Sequence, residues 1–274
     1  MRKNISFQMI RNILLLIFTV CNLYSLFSQF EKVTEVQIES SFFTSDPEKN
    51  IYAFSKGFLL KYPPPYTRAY SYDLGKHGQP DNIDVYSGHR VVIYYQASQK
   101  LIILNDTLEE IIRPLFLEEL GMEEVSFVFT TEDNDLWFYN YSSNSLTKLN
   151  GNFVPVIRSV NLNKLFEYPK TPSFMVYYKN NIYINIPSTG VLILDVNGNY
   201  KTGLVMPGII DFQMDGDFIC YYRDNSIYRY NPMTHNNNQV NIPQIPEVIN
   251  AHIYGDNLIL FRTVGFSVYR LIQQ

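Results

Sequence analysis

SFMVYYKNNIYINIPSTGVLILDVNGN, residues 173–199, holds the pattern that decides the fold. Three runs rich in β-branched and aromatic residues, Phe174 to Tyr178, Ile182 to Ile186 and Val191 to Asp195, are separated by Lys179-Asn180-Asn181 and Pro187-Ser188-Thr189-Gly190, and Asn197-Gly198 follows the last. Asn and Gly reach the positive φ that tight reversals need, so the stretch predicts three short antiparallel strands in a meander.

The unit recurs along the chain. With middle strands in register, NIYAF falls at Ile51, RVVIYY at Val91, DLWFY at Leu136, NIYINI at Ile182, DFICYY at Phe218 and NLILF at Leu258, in steps of 40, 45, 46, 36 and 40 residues. A third strand follows eight to ten residues later in every unit, at Leu59, Leu101, Leu146, Val191, Ile227 and Val268. First strands precede as SFFTS, DVYS, SFVFTT, SFMVYY, DFQM and AHIY. Fourth segments follow five of the units, at Arg68 to Leu74, Leu108 to Arg113, Phe153 to Val160, Tyr200 to Met206 and Gln239 to Ile242. A period near 40 made of three or four short strands is the signature of a β-propeller. The expected fold is therefore all-β, a six-bladed β-propeller of four-stranded blades over residues 29–274. Phe30 to Ile38, FEKVTEVQI, alternates apolar and polar residues and belongs to no unit. It is expected to supply the fourth strand of the last blade and close the ring, because an open ring would leave two sheet edges able to template aggregation.

The middle runs, VVIYY, LWFYNY and FICYY, are apolar on both sides of the pleat. A sheet with one wet face alternates strictly, whereas a blade held between two neighbours needs continuous runs. Aromatic residues make up 15% of the chain, which favours strands over helices.

Residues 1–28 carry Arg2, Lys3 and Arg11, no acid, and the apolar run Ile13 to Phe27 before Ser28-Gln29. This is the layout of a secretory signal peptide, and about 15 apolar residues fall short of the roughly 20 a membrane span needs. Lipid attachment at Cys21 lacks a small residue immediately before the cysteine. Cleavage near Ser28 would leave Cys220 as the one cysteine, so no internal disulfide could form. The remainder carries 19 basic against 26 acidic groups, and no Lys/Arg-rich run. That balance argues against nucleic acid and anionic lipid as partners.

Asp46-Pro47-Glu48-Lys49-Asn50-Ile51-Tyr52, with a second N-I-Y at Asn181 to Tyr183, resembles the turn-then-strand cadence of six-bladed β-propellers of the loosely NHL-like kind. The resemblance implies the architecture of the mature chain and carries no catalytic residue. The better-marked propeller families find no support, since the chain has one Trp, Trp137, and lacks a Trp-Asp dipeptide, a Gly-Gly kelch pair and a Tyr-Trp-Thr-Asp run.

Three groups of residues are candidates for function. Ser41, Asp84, Ser126, Ser173, Asp211 and Asn250 stand at the expected starts of the six first strands, so they are expected to ring one mouth of the channel. Oxygen atoms of Asp84, Asp211 and Asn250 suit a hard cation, and His252 suits an acid or base near neutral pH; as plain structure, the ring hydrates the channel and pairs with the backbone. The segment Thr107 to Val125 carries Glu109, Glu110, Glu118, Glu119, Glu123 and Glu124 around an apolar stripe of Phe116, Leu117 and Leu120, expected as a short helix ended by Gly121. That stripe suits a protein partner, or else packs on blade edges. Lys61-Tyr62-Pro63-Pro64-Pro65-Tyr66 is a stiff proline run that suits an aromatic groove or a rigid hairpin connection.

His/Cys metal spacing, a Gly-x-Ser-x-Gly elbow and a phosphate-cradling Gly-rich loop are all missing from the sequence. The expectation is an exported, monomeric, non-catalytic scaffold in the bacterial cell envelope, an accessory of outer-membrane assembly or secretion. It takes an envelope protein as partner, uses no cofactor or metal, and has no transmembrane span in its mature form. The rival is a metal-dependent propeller hydrolase or lactonase, which requires the ring residues to converge within coordination distance.

Overall fold

The computed structural model describes residues 29–272 apart from Lys76, Gly88, Val160 and residues 166–170. The signal sequence expected at residues 1–28, Cys21 included, lies outside the described residues. These form six four-stranded antiparallel sheets and two short 3-10 turns, Leu117–Leu120 and Leu162–Leu165. Blade 1 is β2 to β5 (Phe42–Ser45, Ile51–Ser55, Phe58–Tyr62, Tyr70–Asp73) and blade 2 is β6 to β9 (Asn82–Asp84, Val91–Tyr95, Lys100–Leu104, Leu115–Phe116). Blade 3 is β10 to β13 (Val125–Thr130, Leu136–Asn140, Ser145–Leu149, Pro155–Arg158), and blade 4 is β14 to β17 (Phe174–Tyr178, Asn181–Ile186, Gly190–Asp195, Tyr200–Val205). Blade 5 is β18 to β21 (Gln213–Asp215, Phe218–Arg223, Ser226–Tyr230, Asn237–Asn241). Blade 6 joins β22 to β24 (Val248–Tyr254, Asn257–Arg262, Gly265–Leu271) to β1 (Phe30–Gln37) from the start of the described chain. β1 pairs with β24 from Phe30 opposite Leu271 to Gln37 opposite Gly265, so the clasp read from the alternation of residues 30–38 closes the ring.

Packing explains the apolar runs. Each of the six hydrophobic clusters lies between two adjacent blades, and the sixth joins blade 6 to blade 1 through Phe43, Ile51, Ile259, Phe261 and Phe266. Successive residues of a strand point to opposite faces, so in β7 Val91 and Ile93 pack towards blade 1 while Val92 and Tyr94 pack towards blade 3. All four are buried. Full burial of such side chains is worth about 1.5–3 kcal/mol each, which makes the six layers the main support of a ring without disulfides.

Two expectations shift in blade 2. The first strand is Asn82–Asp84 rather than residues 84–87, because Asp84 Oδ1 accepts the amide of Tyr86 (3.1 Å) and turns the chain out of the sheet. The fourth strand is only Leu115–Phe116, with Glu110 bridged singly to Leu104, rather than residues 108–113. Pro114, which has no N–H to give a ladder, separates the two contacts. The proline run serves as the connection between β4 and β5: Tyr66 donates its amide to Pro63 O (2.7 Å) and buries its ring against Phe266.

Candidate functional site

Strand direction gives the ring two faces. Turns between first and second strands and between third and fourth strands lie on one, here the turn face. The other, the connector face, carries the turns between second and third strands and the links from blade to blade. Both carry exposed apolar side chains, Val154 and Met233 in turns of the first and Tyr141 and Ile210 on the second among them.

The axis is filled by Tyr86. It stands on the six-residue turn 85–90 of blade 2, the longest of the first turns, and reaches three blades that are not its neighbours. Its hydroxyl lies 3.3 Å from Phe212 O of blade 5 and hydrogen-bonds Tyr254 of blade 6, while its ring meets Phe174 of blade 4 edge-on at 6.3 Å. Tyr254 in turn donates to Ser45 O of blade 1 (3.0 Å). Burial, with Tyr254, Asp211 and Asp84 nearby, holds the Tyr86 phenol well above its ordinary pKa, so it remains a neutral donor.

The six expected ring residues do not converge. Asp84 ends its strand on the turn-face side, where Oδ2 accepts Thr130 N and Thr130 Oγ1, both at 2.6 Å, and ties blade 2 to blade 3. Asp211 and Asn250 meet near the connector face, with Asn250 Nδ2 at 3.1 and 3.4 Å from the two carboxylate oxygens. Ser173 donates to Ile210 O (2.9 Å), linking blade 4 to the segment before blade 5. Ser41 lines a cleft between blades 1 and 2, and Ser126 one of about 560 Å³ between blades 2 and 3. Burial pushes both the Asp84 and Asp211 carboxyls above the usual carboxylate range, while their hydrogen-bond donors pull the other way. Asp84, Ser173, Asp211 and Asn250 thus tie neighbouring blades together, while Ser41 and Ser126 border clefts.

His252 is also structural. It is buried, its Nδ1 lies 2.6 Å from Ser45 Oγ of blade 1, and its ring packs against Phe261 at 5.1 Å. Burial pushes its pKa down to about 3, so the ring is neutral near pH 7. Cys220 is a buried thiol with its pKa pushed up to about 12, a core residue. Among the described residues, no group of three His, Cys, Asp or Glu side chains is placed to hold a metal ion.

The acidic segment after blade 2 divides. Glu109 and Glu110 belong to the turn after β8 and the return strand, near the turn face, with Glu110 accepting Tyr72 OH (2.6 Å). Phe116 to Glu124 lie at the connector face. The expected helix is one 3-10 turn, ended by Gly121 at φ 65° with Met122 N donating to Leu117 O (2.9 Å). Leu117 is fully buried in the layer between blades 2 and 3, and Leu120 packs on that layer from its edge. Of the expected stripe, Phe116 alone is well exposed, at 42%, beside Glu118 and an Arg113–Glu119 ion pair (2.5 Å).

Further apolar side chains share that face. Phe58 and Tyr141 follow second strands, Val264 lies in the last such turn, and Val205, Ile210 and Ile249 flank the links into and out of blade 5. Val205 is 86% exposed and Ile210 77%. Sequence reading did not single these residues out; Phe58, Tyr141 and Val205 read simply as members of strands. Tyr86 was missed too, because residues 84–87 read as a strand.

No family model matches the chain, and no curated protein matches it. Solved structures do. The Neurospora crassa Pan2 WD40 domain superposes with a TM-score of 0.61 at 12% identity, covering 91% of this chain and 98% of that one. Virginiamycin B lyase from Staphylococcus aureus gives 0.59 at 12% identity, with 89% and 100% covered. BBS1N, solved in complex with ARL6DN, gives 0.54 at 11% identity, with 91% and 99% covered. The chain has the fold of a six-bladed β-propeller. Likeness at this identity speaks for fold alone.

Among the described residues, no helix is long and apolar enough to cross a membrane.

Proposed function

We propose that this chain is an exported, monomeric, non-catalytic scaffold of the bacterial cell envelope that holds an envelope protein on its connector face. The observation that carries the reading is the exposure there of Phe58, Phe116, Tyr141, Val205, Ile210, Ile249 and Val264, so that five blades and the link into blade 5 present apolar surface on this side of a rigid ring. Exposed apolar groups gathered on one face and rimmed by charge mark protein contact sites, and loops on a rigid frame are where such folds keep them. Glu118, Glu123 and Glu124 supply that rim beside Phe116. Export rests on the residue pattern of the first 28 positions, and the envelope setting on export together with the fold. The complex of BBS1N with ARL6DN supports protein binding as a use of this architecture.

The reading is tested on the affinity for the envelope partner. Phe116→Ser and Ile210→Ser together are expected to weaken the complex by roughly thirtyfold, about 2 kcal/mol, with the melting temperature nearly unchanged because both side chains stand largely outside the core. Full affinity in the double variant would defeat it.

A further inference from the structure

The first turns of the six blades come in two sizes. Residues 46–50, 85–90 and 131–135 make long turns in blades 1, 2 and 3, while residues 179–180, 216–217 and 255–256 close the same connection in two residues each. The three long turns and the end of β14 wall a cleft of about 240 Å³ at the turn-face mouth of the axis, floored by Tyr86. Its chemistry is one-sided: Glu48 and Glu132 line it with Tyr86, Tyr177 and Tyr178, and no basic side chain does. Lys49 and Arg90 belong to the same turns but not to the lining.

We propose that this cleft binds an organic cation of side-chain size, an alkylammonium or guanidinium group. Size favours a head group over a larger ligand, because sites for whole small molecules run from about 300 to 1,000 Å³. The ring faces of tyrosines attract a cation, as the neighbouring turn of blade 4 shows: Lys179 Nζ lies 5.4 Å from the Tyr178 ring centroid, tied to Asp217 of blade 5 at 3.0 Å, which leaves Tyr86 and Tyr177 as the rings for a ligand. Charge agrees. Glu132 and Asp133 are exposed beside Tyr177, whose phenol they help to push up, and Asp84 lies near Tyr86 with neutral hydrogen-bond partners, Thr130 and the Tyr86 amide. A cation entering here adds the positive charge that the lining lacks. The inference is independent of the connector-face reading, since the two sites occupy opposite faces.

The test is an NMR titration of the protein carrying labelled tyrosine rings. The probes are the blocked amides of lysine and arginine, n-butylammonium, and the blocked amide of norleucine, which has the length without the charge. Saturable shifts of Tyr86 and Tyr177 are expected with the charged probes, weakened about tenfold in the Glu48→Gln/Glu132→Gln variant, whose exposed substitutions leave the fold intact. Stronger binding of the blocked amides than of n-butylammonium would identify a polypeptide side chain as the natural occupant, and equal binding a free amine. Equal response to norleucine, no saturable shift, or unchanged binding in the double variant would overturn the proposal.

Discussion

Gly190 and Gly265 open the third strands of blades 4 and 6 with φ of 136° and 137°, and both let a fourth strand come closer than any side chain permits. A Cβ at Gly265 would stand 2.0 Å from Val36 O and 3.1 Å from Gln37 Cα, both on the clasp strand β1. Gly57 makes a comparison: its φ is 84°, but nothing lies within 4 Å of an added Cβ. Gly265→Ala is therefore expected to lower the melting temperature by roughly 6–12 °C, corresponding to about 3 kcal/mol or more, and Gly57→Ala by roughly 2–4 °C for about 1 kcal/mol. Thermal unfolding followed by circular dichroism checks this, and equal losses would show that closure does not depend on the close approach. At this scale the sequence was least legible. Asn250 and His252 differ by the two positions that place them on one side of a strand, yet the burial of His252 depends on Ser45, two hundred residues away in the neighbouring blade. Nothing in the local pattern around residue 252 marks that contact.

Strands and turns were easier to read than the directions turns take. Apolar runs bounded by Asn and Gly located nearly every strand, because pleat alternation and positive φ are local demands. The same local chemistry recurs in the turns after third strands: Asn105, Asn150 and Asp195 each accept amides two and four residues on, at 2.8 to 3.1 Å. The fourth strand of blade 2 was misplaced because Pro114 removes a ladder donor while Glu110 still bridges. Turn 85–90 was read as strand as far as residue 87, because its path follows from contacts of Tyr86 with three distant blades rather than from local pattern. Those contacts give a graded expectation: Tyr86→Phe should cost about 1 kcal/mol for lost hydrogen bonds, and Tyr86→Ala about 3–5 kcal/mol for the vacated axis. Urea unfolding at pH 7 measures both, and an alanine variant as stable as the phenylalanine variant would show that the ring does not fill the axis.

The whole molecule is a closed stack of six apolar layers, and closure is what the sequence conveyed best, through repeat spacing and the unassigned strand at residues 30–38. The site was conveyed only in part. A ring of polar residues at one mouth was expected, whereas neighbouring blades use Asp84, Ser173, Asp211 and Asn250 to bind each other, and Asp84 sits towards the opposite face from Asp211 and Asn250. Which side chains a connector exposes depends on how the following blade packs, so Leu117 turned inward while Phe116 remained outside. The central claim, that the connector face holds the partner, is tested most directly by placing a photo-crosslinking residue in turn at Phe116, Val205 and Ile210, and at Val33 and Tyr70, which lie on β1 and β5 away from the connector-face ends of those strands, in the native cell. The account predicts one shared crosslinked species from the first three positions and none from the last two; crosslinks from Val33 and Tyr70 alone would contradict it.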